Sequence, residues 1–96
     1  MLELKPSCEN CRILLPPSST QAYICSYECT FCRNCALDLL KNVCPNCGGG
    51  FVPRPIRPVN GLLKHPPVNK ETYKPTNMVS HAEMALKYKN IPPENR

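Results

Sequence analysis

Tryptophan is absent from this sequence, and phenylalanine and histidine occur only twice each. A chain of 96 residues with so few large side chains cannot build an ordinary apolar core, so something else must hold it together. No apolar run is long enough to cross a bilayer, and no membrane partner is expected. The start, Met1-Leu2-Glu3-Leu4-Lys5-Pro6, has neither the apolar centre nor the cleavage site of an export signal. The expectation is a cytoplasmic chain whose thiols stay reduced. A serine–histidine–aspartate set, paired acids and a phosphate-cradling glycine loop are missing too, so the chain is expected not to be an enzyme.

What the sequence does have is cysteine. All eight lie between Cys8 and Cys47, spaced C-x2-C, x13, C-x3-C, x2, C-x2-C, x8, C-x2-C. Pairs at this separation give the bite of one tetrahedral ion, and four thiolates at about 2.3 Å close a structural zinc site. Reduced thiols in this rhythm point to two Zn2+ per chain rather than to disulfides.

Three pairings satisfy the count. The interleaved one joins Cys8, Cys11, Cys32 and Cys35 in site 1 and Cys25, Cys29, Cys44 and Cys47 in site 2. The sequential one joins Cys8, Cys11, Cys25 and Cys29, then Cys32, Cys35, Cys44 and Cys47. The nested one gathers Cys25, Cys29, Cys32 and Cys35, and is compact enough to keep an iron–sulfur or redox protein among the alternatives. Interleaving is favoured because each ion then ties together segments distant in sequence. In both of the first two pairings Cys29 and Cys32 serve different ions. Three residue steps and two metal–sulfur bonds hold those ions within about 16 Å.

Local pattern supplies the expected elements. Ile13-Leu14-Leu15 and Ala22-Tyr23-Ile24-Cys25 flank a Pro/Ser loop and read as a hairpin. Across 32–42, Cys35, Ala36, Leu39 and Leu40 recur at helical spacing, and Pro45 forbids continuation. Cys32 and Cys35 then fall in a first turn, where exposed amides favour thiolates. A knuckle, a hairpin and such a helix start make the layout of a treble clef. The predicted architecture is a small metal-stabilised α+β fold: a cross-braced two-zinc module at 1–52 with a short hairpin and one helix.

The remainder reads as a Pro-rich C-terminal extension. Residues 53–79 hold Pro53, Pro55, Pro58, Pro66, Pro67 and Pro75 and are expected to form an extended linker. Ser80-His81-Ala82-Glu83 has the form of a capping box opening a short helix over 80–90. His65 and His81 read as surface residues. Residues 1–50 carry no net charge, and residues 51–96 carry all of the +5.

The cysteine spacing, with Cys44-Pro45-Asn46-Cys47 at its end, resembles the RING finger in an all-cysteine form, Cys29 standing where histidine is usual. The resemblance implies a cross-braced two-zinc fold. Ligase-type RING fingers carry an apolar residue after the first cysteine, often a Trp near the helix, and a cation after the last cysteine. This chain has Glu9, no Trp and Gly48, so ubiquitin-ligase-like activity is not carried over. Three strings, Cys25-Ser26-Tyr27-Glu28-Cys29-Thr30-Phe31-Cys32, Val43-Cys44-Pro45-Asn46-Cys47-Gly48-Gly49 and Arg54-Pro55-Ile56-Arg57-Pro58, look more closely like a small, mostly bacterial family, domain of unknown function 1272. That resemblance spans roughly the first two-thirds of the chain and implies a cytoplasmic protein with no assigned activity.

Two functional readings follow. In the first the chain is a protein-interaction adaptor: zinc fixes a surface, and Arg54, Pro55, Arg57 and Pro58 offer an extended ligand to a protein partner. In the second it binds nucleic acid through Arg54, Arg57, Lys64, Lys70 and Lys74. Those charges are dispersed, with only Phe51 and Tyr73 nearby for stacking, so a solvated basic tail fits them better.

Overall fold

Runs of strand-forming residues are short here, and so are the strands. In the computed structural model, which describes residues 1–96, β1 spans Ala22–Ile24, β2 Thr30–Cys32 and β3 Val52–Pro53. They form one antiparallel sheet in the order β2-β1-β3, with Tyr23 opposite both Phe31 and Pro53. A π-helical turn at Asn34–Leu39, helix α1 at Val59–Lys64, helix α2 at Met78–Tyr88 and a 3-10 turn at Pro93–Asn95 complete the α+β fold.

The hairpin is not the one expected from 13–15 and 22–25. β1 pairs downstream with β2, and the C-x3-C segment is itself the turn. The Cys25 amide donates to Cys29 O (3.2 Å), the Glu28 amide donates to Cys25 O (3.0 Å), and Glu28 takes a φ of 65°. Residues 13–15 are taken up by 6–8: Leu14 bridges Ser7, and Ile13 O accepts from the Cys8 amide (2.9 Å). Leu15 instead gives its own amide to Pro6 O (2.8 Å) and turns inward, while Ile13 and Leu14 stay exposed.

The helix expected over 32–42 is shorter and more widely wound. Cys32 is the last residue of β2, paired with Ala22, not part of a first helical turn. The Leu40 amide reaches back five residues to Cys35 O (2.8 Å), and Lys41 and Asn42 then turn left-handed, with φ of 55° and 59°. That reversal brings Val43 and Cys44 back under the sheet, both fully buried.

The main core cluster has 11 buried residues, five of them cysteines: Cys8, Cys25, Cys32, Cys35 and Cys44. Sulfur therefore stands where an ordinary domain would place aliphatic carbon. The only aromatic pair inside is Phe31 against Phe51, edge to face at 5.3 Å. Of 38 backbone–backbone hydrogen bonds, 23 lie outside the helices and strands. Regular secondary structure is too sparse to hold this chain by itself.

The extension departs most from expectation. A boundary at residue 52 cuts through β3, and 53–79 is no free linker. Its prolines leave the segment short of amide donors, and arginine side chains add to the few backbone joins made by Arg54, Val68 and Lys74. Arg54, 4% exposed, donates to Lys5 O (2.9 Å), Leu15 O (3.2 Å) and Pro16 O (3.2 Å). Arg57 donates to Leu2 O and His65 O, each at 2.7 Å.

Helix α2 starts two residues before the expected 80–90, because Asn77 caps it and Ser80 lies inside. Asn77 Oδ1 accepts from the amides of Val79 (3.1 Å) and Ser80 (3.2 Å). Asn77→Ala is expected to cost about 1 kcal/mol, read as a lower thermal unfolding midpoint, whereas Ser80→Ala should be near neutral. His81 is not a surface residue: it is 3% exposed, with Nε2 2.9 Å from Val43 O. That contact docks α2 against the residue before Cys44.

Candidate metal centre

The cysteine array opens and closes on knuckles of the same construction. In the first, Cys8-Glu9-Asn10-Cys11-Arg12, the Arg12 amide donates to Cys8 O (3.0 Å) and the Cys8 amide to Ile13 O (2.9 Å). In the other, Cys44-Pro45-Asn46-Cys47-Gly48, the Gly48 amide donates to Cys44 O and the Cys44 amide to Gly49 O, both at 2.8 Å. The residue after the second cysteine is left-handed in both, Arg12 at φ 67° and Gly48 at φ 77°. Glycine meets this need without strain. Arginine meets it at a cost, and its side chain is latched in place, as described below.

The knuckles differ in the segments they face. Cys8 and Cys11 meet Cys32, at the end of β2, and Cys35, in the π-helical turn. These four sulfurs all lie within 4.8 Å of one another, and Cys11 Sγ is 3.8 Å from Cys32 Sγ. Cys44 and Cys47 meet Cys25, and these three sulfurs also lie within 4.8 Å of one another. Cys29 lies outside that mutual set, although its proton affinity responds to Cys44 and Cys25 nearby. The first and third cysteine pairs are thus brought together, and Cys25 of the second pair meets the fourth.

Backbone and side-chain donors already point at these sulfurs. The Tyr27 amide lies 3.3 Å from Cys25 Sγ and the Gly49 amide 3.4 Å from Cys47 Sγ. The third residue of each knuckle does the same across its site: Asn10 Nδ2 donates to Cys35 Sγ (3.4 Å) and Asn46 Nδ2 to Cys29 Sγ (3.3 Å). Such donors favour thiolate over thiol.

Proton affinities within the array are split accordingly. The hydrogen bond with Cys44 pulls Cys29 down to about 5, with Asn46 and Cys25 adding to it. Cys44 is pushed up by that same hydrogen bond and by burial. Burial pushes Cys25 up to about 11 and raises Cys35 and Cys32 as well. Burial also acts to raise Cys11, but hydrogen bonds with Ile13, Cys8, Cys32 and Cys35 outweigh it and hold this thiol below its ordinary value. Each cluster therefore holds one thiol shifted down beside others shifted up, and a cation binding there displaces the protons that remain. That donor chemistry fits a thiolate-bound metal at both places.

The extension completes the surroundings of both knuckles. Arg12 donates to both oxygens of Glu71, at 2.9 and 3.1 Å, and lies 4.8 Å over the Tyr73 ring. That ion pair holds the Glu71 carboxyl below its usual range. At the other knuckle the Tyr88 ring covers Gly48, where an added Cβ would come within 3.2 Å of it. Arg96 donates to Asn42 O (2.8 Å) and Gly48 O (3.1 Å). Among the residues expected to meet a partner, Arg54 is buried and Arg57 half-buried, both bound to backbone carbonyls, while Pro55 and Pro58 are exposed.

Asn10 and Asn46 escaped the sequence reading, although Cys-x-Asn-Cys stands in both knuckles. His81 and Glu71 carried no comparable signal, because only the folded path of the extension brings them near.

Fold and site together define a small metal-stabilised α+β protein with two cysteine clusters able to hold metal ions. The family model described as "Protein of unknown function (DUF1272)" matches residues 1–57, and the chain belongs to that family. The match reaches past β3 and takes in both guanidiniums that close the module. An uncharacterized protein of Rhizobium meliloti (strain 1021) is 51% identical over 75 residues, covering 78% of this chain and 89% of the relative. No solved structure matches the chain. No helix is long and apolar enough to cross a membrane.

Proposed function

We propose that the chain is a structural two-zinc module acting as a protein-interaction adaptor in the cytoplasm, without catalytic activity. The observation that carries the metal reading is the sulfur geometry of Cys8, Cys11, Cys32 and Cys35. Arms of about 2.3 Å give a tetrahedron with edges of about 3.8 Å, and Cys11 Sγ and Cys32 Sγ are 3.8 Å apart. Cys25, Cys29, Cys44 and Cys47 form the second donor set, Cys29 moving in to complete it. Zinc bound there supplies a redox-inert cross-link between four thiolates. With all four positions taken by sulfur, neither site has an opening for substrate. The alternation of the pairs supports a RING-like cross-brace, although Cys32 leaves from a strand rather than a treble-clef helix.

The adaptor surface is displaced from the arginines to the apolar side chains between them and beyond. Val52, Ile56, Val59 and Leu63 are 59%, 54%, 75% and 80% exposed, and follow one another from β3 through the connecting loop into α1. A protein partner with an apolar contact face suits this strip better than an acidic ligand does. The alternative, nucleic-acid binding through the basic tail, is weakened because Arg54, Arg57 and Arg96 are all engaged by backbone carbonyls.

Titrating metal-free protein with Co2+ under reducing conditions tests the donor sets. The reading expects sulfur-to-metal charge-transfer absorbance that saturates at two equivalents and is displaced by Zn2+. A brown protein as isolated, carrying iron and sulfide, would contradict it. For the adaptor half, Leu63→Asp should leave two metals per chain and abolish capture of a partner by the full chain. Capture unaffected by that change excludes this strip.

A further inference from the structure

The two asparagines that donate to sulfur also hold the extension. Asn10 Oδ1 accepts from the Thr76 amide (2.9 Å), while its Nδ2 donates to Cys35 Sγ (3.4 Å). Asn46 Oδ1 accepts from Lys74 Nζ (3.5 Å), while its Nδ2 donates to Cys29 Sγ (3.3 Å). The Lys74 amide meanwhile donates to Glu9 O, inside the first knuckle, at 2.8 Å. One short stretch, Lys74 to Thr76, thus bridges the two knuckles. At each, one side-chain amide stands between that stretch and a sulfur.

We propose that Asn10 and Asn46 are paired positioning residues that couple the two metal sites to docking of the segment Lys74–Asn77. The proposal rests on the reading of the cysteine sets as metal sites and adds a role for residues outside them. An amide plane is rigid, so a donor satisfied at nitrogen fixes where the oxygen can accept. When Cys35 and Cys29 are metal-bound thiolates, they are better acceptors than neutral thiols and hold each amide in the orientation that receives the tail. The same rigid amide carries a change at the tail's donor back to the sulfur that it contacts.

Linkage makes the effect reciprocal: whatever docks the tail more firmly must also tighten metal binding. Helix α2 begins immediately after this stretch, capped by Asn77. The stretch and the first turn of α2, which His81 also holds to Val43 O, border a cavity of about 210 Å³ lined by Pro45, Thr76, Ser80 and His81.

The full-length chain loaded with zinc tests this with two readouts: metal release to a chromogenic chelator, and amide hydrogen exchange across 72–78. Asn10→Ala is expected to speed release of one of the two ions by about tenfold or more, as for other groups that orient ligands, and to raise exchange at Thr76. Asn46→Ala, at an exposed position, should speed release of the other ion and act less on Thr76. Thr76→Pro removes the tail's donor, fixing φ at that residue as well, and leaves both asparagines and all sulfurs in place. Faster metal release in that variant supports the coupling. Release rates unchanged in Thr76→Pro and Asn10→Ala, with two ions still bound, overturn the coupling alone. Fewer than two ions on the unaltered chain overturn the metal reading, and the coupling falls with it.

Discussion

Chelating the metal from the reduced chain is expected to unfold residues 1–57 completely rather than loosen them. Structural zinc contributes about 10–16 kcal/mol of apparent binding free energy in small finger peptides, against a net stability of about 5–15 kcal/mol for ordinary domains. This chain has little else to set against its loss. Five of the 11 residues in the core cluster are cysteines, and the sheet has strands of three, three and two residues. Without metal, sulfurs held at 3.8 Å must carry protons or repel one another as thiolates. The check is circular dichroism and amide exchange before and after chelation. The expected outcome is loss of protection at Phe31, Val43 and Cys44, restored by adding zinc. Cys44→Ser should behave like partial chelation, since its sulfur is fully buried and the hydroxyl is a far poorer zinc ligand.

Replacing Arg54 is expected to have the next largest effect. Its guanidinium is buried without an acidic partner, and burial lowers its pKa from the ordinary arginine value. Bonds to Lys5 O, Leu15 O and Pro16 O compensate the lost hydration. Arg54→Ala leaves those carbonyls without their donor, at about 1–3 kcal/mol for each group that stays dry. Some will rehydrate, so a total loss of about 2–4 kcal/mol is expected. Arg54→Lys should recover less than half, because one ammonium on a flexible stem cannot fork toward three carbonyls. Chelator resistance at moderate urea measures both variants. Stability within about 0.5 kcal/mol of the unaltered chain in Arg54→Ala, as for an ordinary surface change, would show that this arginine is not the clasp described.

The same arginine shows where the sequence stopped being legible. The cysteine rhythm announced two donor sets and an α+β class, because ligand spacing is a local property that survives in the linear string. The grouping of Cys8 and Cys11 with Cys32 and Cys35 could be reached from the need to tie distant segments together. The helix at 32–42 could not be drawn correctly: Cys32 is claimed by pairing with Ala22, a contact across the sheet that periodicity does not encode. Arg54 and Arg57, among prolines, looked like an exposed ligand for a partner. Their true acceptors are carbonyls at Lys5, Leu15 and Leu2, which any residue type could supply and no pattern marks. His81 was misread for the same reason, its partner being the backbone of Val43. Side chains that bond to backbone leave no complementary letter elsewhere in the sequence.

Native mass spectrometry of the full-length chain, purified under reducing conditions without added metal, tests the central claim most directly. It counts the ions, identifies them by mass, and counts the protons that the thiols have lost. The account predicts two zinc ions per chain, no disulfide, and both ions held by thiolates. One ion per chain, an iron–sulfur mass, or a metal-free chain two or more protons lighter through disulfide formation would contradict it.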